Sequence, residues 1–288
     1  MEKAILKTLI YADIFDYPQK AYEIHKWLIG RQVTLRQVEK GIQRLIEKQK
    51  VESQKEYIFL RGRKELVRKR KIRQNQSNKF LLKAKLATYV LKAIPWIKLA
   101  GVSGGLAMKN ASKDDDIDLF IVTSKNRLWL SRILTIALLD LLGVRRKAGI
   151  KPNKVAGKLC LNILLEEDRL AQSKSDIYLA HEVLQMQVLW QRGGIYQKYL
   201  EENEWAFNLL PNWMGNQHQV SRTHNTNYLI NNTLDRLEEL AKKFQLWYMK
   251  KPEGMERVED GALYFHPNDT RSQVLADFRQ RFKKLSTS

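Results

Sequence analysis

Apolar residues recur at helical spacing from the start of the chain. Ile5, Leu6, Leu9, Ile10 and Ile14 fall on one face of a helix over residues 3–16. Asp16-Tyr17-Pro18 ends it, because the residue before a proline is pushed out of helical geometry. Ile24, Trp27 and Leu28 mark a short second helix over 20–29. Thr34 reads as the N-cap of a third, in which Leu35, Val38, Ile42, Leu45 and Ile46 repeat as far as Lys50. Val51 to Leu60 reads as strand, turn and strand. An amphipathic helix follows over Phe80 to Leu91, then strands at Ile97–Val102 and Ile117–Thr123, an apolar helix at Leu128–Leu142 and a strand over 158–166. Asp176 opens a helix expected to run to about Trp190, where Gly193-Gly194 breaks it; another spans about 195–209. Residues 213–225 read as a polar loop. A long helix from Asn227 to Lys250, a short strand at Ala262–Phe265 and a last basic helix capped by Asp269 complete the chain. Strands and helices alternate unevenly, which predicts an α+β fold.

Polar residues interrupt this pattern most sharply between Gly104 and Asp118. Strand side chains have a period of two, so Asp116 and Asp118 point to the same face. Two adjacent carboxylates repel each other unless a cation lies between them, and hard divalent cations such as Mg²⁺ or Mn²⁺ take such oxygens. Ser103, Gly104 and Gly105 precede a short helical turn, where small residues let the backbone approach a phosphate. At these residues the chain resembles the polymerase-β-like nucleotidyltransferase superfamily. Gly104, Gly105, Ala107 and Ala111 fall on the family's glycine-rich positions, and Asp116-Ile117-Asp118 on its acidic pair. The resemblance covers roughly 95–168 and implies a small mixed nucleotidyltransferase sheet flanked by helices. It implies that Asp116 and Asp118 are catalytic metal ligands and that Ser103, Gly104 and Gly105 hold a nucleoside triphosphate. The family's third carboxylate maps to Asn162, an amide that cannot act as a base. Glu166 and Glu167 replace it only if the strand slips or bulges.

Three helices and a hairpin over residues 1–62 resemble a winged helix. Its recognition helix would present Arg36, Gln37, Lys40, Gln43 and Arg44 outward. A helical unit that packs on the rest of the chain or binds protein fits the same pattern. The chain then divides into this unit, a basic connecting helix over 63–94, a nucleotidyltransferase core over 95–170 and a C-terminal helical region over 171–288.

Charge sharpens this picture. The 288 residues carry a formal net charge of +20, which favours polyanions, RNA or DNA first among them. From residue 61 to 94 every charged residue but Glu65 is basic, and Arg68-Lys69-Arg70-Lys71 is the densest cluster. Each such side chain at a phosphate would add a salt-dependent contact. The single cysteine, Cys160, excludes an internal disulfide framework and reads as an inert strand residue. Leu128 to Val144 contains Arg132 and Asp140 and is short for a bilayer span, which takes roughly 20 apolar residues. With no leader-like start, a cytoplasmic protein is expected. His181 and Glu182 lie on the helix after the core, where a lone histidine is expected to be packed.

The expected reaction moves a nucleoside monophosphate from a triphosphate to an acceptor, nucleic acid by the charge, with Mg²⁺ or Mn²⁺. A small-molecule or protein acceptor, or a non-catalytic nucleic-acid-binding protein with a degenerate core, is the alternative that Asn162 keeps open.

Overall fold

The computed structural model describes residues 1–147, 155–213, 232–249, 257–265 and 270–287. The expected loop around Gly215–His218, the Asp269 cap and Lys151 and Lys154, two basic residues of the connection before the strand at 158–166, lie outside them.

The N-terminal unit runs α1 (Glu2–Ile14), β1 (Gln19–Lys20), α2 (Ala21–Lys26), α3 (Leu35–Glu47), β2 (Val51–Gln54) and β3 (Tyr57–Leu60). Its three strands form an antiparallel sheet in the order β1-β3-β2. Thr34 caps α3 as expected: its Oγ1 accepts from the Gln37 N–H at 3.3 Å, and Gln37 answers with its own side chain. Ile5, Leu9, Ile24, Leu28, Val38, Ile42 and Leu45 form the core of this unit, while Arg36, Lys40, Gln43 and Arg44 stand in solvent.

The connecting helix is longer than its apolar pattern suggests. α4 is one helix, Leu66–Tyr89, followed by a 3₁₀ turn at Val90–Ala93. It leads into β4 (Ile97–Val102), α5 (Gly104–Ala107), β5 (Ile117–Thr123), α6 (Leu128–Leu141) and β6 (Leu159–Glu166). α7 (Ile177–Gln185) stops five residues before the expected Trp190, and Gln187–Gln191 forms a strand, β7, instead. The reason is tertiary. β4 has an open edge, and β7 pairs antiparallel along it. The expected helix over 195–209 splits into α8 (Ile195–Glu201) and α9 (Trp205–Leu209). Between them Asn203 donates to the Leu170 and Tyr199 carbonyls. α10 (Asn232–Tyr248), β8 (Arg257–Glu259), β9 (Ala262–Tyr264) and α11 (Thr270–Thr287) follow. The second sheet has six strands in the order β7-β4-β5-β6-β9-β8. It is mixed, with β5 and β6 parallel and every other pair antiparallel. Half of its strands therefore come from beyond residue 170.

Helices cover both faces of this sheet. Ile117, Leu119 and Ile121 of β5 pack with α4 and α6, whereas Phe120 and Val122 pack with α7 and α8. The alternation places Asp118 on the α7 face, in phase with Phe120. On β6 the phase changes. Leu119 pairs with Leu161, but Phe120 pairs with Ile163, so Asn162 is the extra residue of a bulge.

The N-terminal unit is fastened to this sandwich by buried polar groups. Arg70 donates to Glu23 Oε1 at 2.9 Å, and Tyr17 Oη donates to the same oxygen at 2.9 Å. The Arg70 guanidinium lies 3.7 Å from the centre of the Tyr17 ring and also donates to the Met108 carbonyl. Arg281 of α11 reaches Asp13 of α1 at 2.6 Å. No helix among the described residues is long and apolar enough to cross a membrane.

Candidate metal centre

Asp116 and Asp118 meet where β5 emerges beside β6. Cys160 stands opposite Asp118 in the parallel pair. Donor atoms of Asp116, Asp118 and Cys160 all lie within 4.8 Å of one another. The set suits one divalent cation, and its two carboxylate oxygens suit a hard one. The thiol is the weakest donor: burial, and then the Asp118 charge, push it up to about 12, so it stays protonated.

Arg146 completes the centre, donating from Nη1 to Asp116 Oδ2 at 2.6 Å. The backbone N–H of Arg146 is tied to the Leu159 carbonyl of β6, which fixes the base of that side chain. Asp118 is pushed up to about 8, first by burial, then by the Asp116 and Glu182 charges, with Arg146 opposing. This is what two carboxylates pressed together with a single guanidinium should show.

Gly104 has φ +62°, which an L side chain rarely adopts, and a Cβ there would sit 3.3 Å from Asp118 Oδ2. The backbone conformation favours glycine, and a Cβ would press on the Asp118 carboxylate. Gly105 is exposed at the cavity mouth, whereas the Ser103 hydroxyl is buried. The Ser103 N–H is tied to the Asp118 carbonyl at 3.1 Å.

The centre opens into a cavity of about 330 Å³. Asp116, Asp118, Arg146, Cys160 and Asn162 form one end. Tyr11, Phe15 and Tyr17 of the N-terminal unit, with Tyr178 and Glu182 of α7, form much of the remainder. Glu182 is pushed up to about 7 by burial, with a Gln185 hydrogen bond opposing. His181 is packed as expected. It stacks 4.2 Å from Tyr11 and 5.1 Å from Trp27, and burial lowers it to about 3, so it is neutral.

Three expectations change. Glu166 does not stand in for a third carboxylate. The bulge at Asn162 turns it to the α6 face, where the Asn126 and Leu128 N–H groups hold it. Glu167 is likewise committed, to Lys98 and the Lys125 N–H. Arg70 is not part of an exposed basic cluster, because its pairing with Glu23 and its packing on Tyr17 bury it. Arg68 and Lys71 are exposed, and Lys69, though exposed, is paired with Asp16. Cys160 lines the cavity rather than the core, while its raised thiol keeps it unreactive as expected. Its position opposite Asp118 was one register count away in the sequence, whereas Arg146 stood there only as one of six basic residues from Arg145 to Lys158, any of which could meet a phosphate.

No protein-family model and no curated protein matches the chain.

Proposed function

We propose that the chain is a metal-dependent nucleotidyltransferase, moving a nucleoside monophosphate from a nucleoside triphosphate to a hydroxyl acceptor. The observation that carries this reading is the convergence of Asp116 and Asp118 on one cavity beside a glycine whose missing side chain leaves Asp118 open. Mg²⁺ or Mn²⁺ is the cation this reading implies, held by Asp116 and Asp118. When bound it would supply positive charge to the phosphate oxygens. Arg146 adds a fixed guanidinium at the same end of the cavity, and Ser103, Gly104 and Gly105 shape the approach of the triphosphate. Tyr11, Phe15 and Tyr17 exclude water from the opposite side.

The order helix, strand, two helices and two strands supports reading residues 1–62 as a winged helix. The exposed Arg36 and Lys40 of α3, with Arg68 and Lys71 of α4, support contact with RNA or DNA on the outer surface. A cytoplasmic location goes with this reading. A second reading, a nucleic-acid-binding protein with a degenerate transferase core, is favoured by Asn162 alone, since the bulge leaves an amide where a third carboxylate is expected.

Asp116→Asn and Asp118→Asn are each expected to abolish Mg²⁺-dependent binding of a non-hydrolysable nucleoside triphosphate, read by calorimetric titration, with an unchanged circular dichroism spectrum. Unchanged affinity in both variants would overturn the assignment.

A further inference from the structure

A second cavity, also about 330 Å³, adjoins the first. Tyr178, Glu182 and Thr270 line both, so Glu182 stands at the wall between them. The rest of the second cavity differs in character. Lys174, Arg257 and Arg271 bring positive charge, and Gln172, Tyr199 and Tyr264 bring polar and aromatic surface. Arg271 is held by Asp176, its Nε 2.7 Å from Oδ2, while Arg257 lies 4.3 Å from the centre of the Tyr264 ring and 3.4 Å from Glu259 at the exposed edge. Lys174 is exposed at the rim. Apart from Glu182, the ionisable side chains lining this cavity are cationic or phenolic. Its size is that of a small-molecule site.

Glu182 is also placed to take a proton while Asp116 and Asp118 are engaged by the cation. Asn162 cannot take a proton, and Glu166 faces the opposite side of the sheet. The Glu182 carboxyl accepts from Gln185 at 2.6 Å and has no cationic partner among the described residues. It is close enough to Asp118 for the two charges to be felt together.

We propose that the second cavity is the acceptor site, that the acceptor is a small hydroxyl-bearing molecule carrying an anionic group, and that Glu182 takes the proton of that hydroxyl. The inference rests on nucleotidyl transfer at Asp116 and Asp118. In the step it describes, the acceptor oxygen forms a bond to the α-phosphorus, the bond from that phosphorus to the bridging oxygen breaks, and pyrophosphate leaves with the electron pair. The hydroxyl proton passes to Glu182. The outward basic face of α3 and α4 is then a separate surface, and the acceptor need not be the polyanion that the net charge recommends.

Ribose 5-phosphate is the probe, having hydroxyls, an anionic group and a fitting size. Calorimetric titration should show it binding the natural protein and binding Arg257→Glu and Lys174→Glu at least tenfold more weakly. Binding of a non-hydrolysable triphosphate with Mg²⁺ should stay within about twofold. In single-turnover pyrophosphate release with ribose 5-phosphate present, Glu182→Gln should lose about 10²–10⁴-fold with both affinities retained. Glu182→Asp, which keeps a carboxylate, should recover part of that loss. Three results would overturn the proposal: no binding of ribose 5-phosphate, equal binding in the charge-reversed variants, or full turnover in Glu182→Gln. Transfer of label to added RNA that Arg257→Glu leaves unchanged would assign the acceptor to the nucleic-acid class instead. Sugar phosphate binding needs neither triphosphate nor Asp116. Its persistence in Asp116→Asn, with triphosphate affinity unaltered, would therefore sink the transferase reading and not the cavity.

Discussion

Replacing Arg70 by methionine tests whether the basic stretch of α4 is a phosphate-binding surface throughout or partly a structural bolt. The Arg70 side chain is 5% exposed and that of Glu23 is 11%, so solvent screens their 2.9 Å contact little. Methionine matches much of the volume but removes every donor. It leaves the Glu23 carboxylate buried with the Tyr17 hydroxyl and its own N-cap interaction at the Lys20 N–H. Breaking a buried pair from one side costs about 3–5 kcal/mol, because the surviving charge has lost its counterion. The lost stacking on Tyr17 adds to this, a desolvated cation–π contact being worth about 2 kcal/mol. Such a loss is a large share of the 5–15 kcal/mol that holds a typical domain together. Urea unfolding of natural protein, Arg70→Met, Glu23→Gln and the double variant would measure it. The double variant should recover much of the loss, since it removes the orphaned charge. In a salt titration against a DNA duplex, Arg70→Met should keep the natural slope. A stability change below about 1 kcal/mol together with a shallower slope would refute the burial argument and return Arg70 to the phosphate-binding surface.

His181 gives a pH test. Its folded value, about 3, lies below the ordinary 6.5, so the unfolded chain binds the proton more readily. Stability from keeping it neutral is present above pH 6.5 and lost as pH falls toward 3, at about 1.4 kcal/mol per unit. His181→Phe should flatten that limb in urea melts at pH 7, 6, 5 and 4, and parallel limbs would show that the ring is not buried neutral. Gly104→Ala should cost about 1–2 kcal/mol from the left-handed backbone and weaken Mg²⁺-dependent triphosphate binding through the 3.3 Å approach to Asp118, with Gly105→Ala as a milder control. An unweakened Gly104→Ala would mean that the ligand approaches from elsewhere. Neutralising Arg36, Lys40, Arg68 and Lys71 together should reduce the salt slope on a DNA duplex by up to about 3.6, at about 0.9 per phosphate contact, and an unmoved slope would leave them idle in solvent.

Elements with strong local signals were the most legible. The Thr34 cap, the third helix and the strand bearing Asp118 follow from periodicity and capping chemistry that neighbouring residues decide among themselves. β7 was not legible, because Gln187–Gln191 has no preference strong enough to announce a strand; the free edge of β4, some 90 residues earlier, makes it one. The same limit governs the site. Asp116 and Asp118 declare themselves by spacing, but their neighbours are set by register. Cys160 faces Asp118 before the bulge, but the one inserted residue at Asn162 decides that Glu166 faces away, and the run Leu161-Asn162-Ile163-Leu164-Leu165 carries no local mark of that insertion.

Arg70 shows why composition misleads at a basic helix. A run of four cations suggests one shared surface, yet consecutive residues of a helix are about 100° apart and cannot all face the same partner. Arg68 and Lys71 stay in solvent, while Arg70 turns inward to Glu23. That inward turn has a functional consequence. Arg70 holds Tyr17 from one side through its guanidinium, and Tyr17 lines the cavity that ends at Asp116 and Asp118. Part of the basic stretch therefore reaches the candidate centre through packing rather than through phosphate. The N-terminal unit is a wall of that centre as well as a bearer of exposed charge.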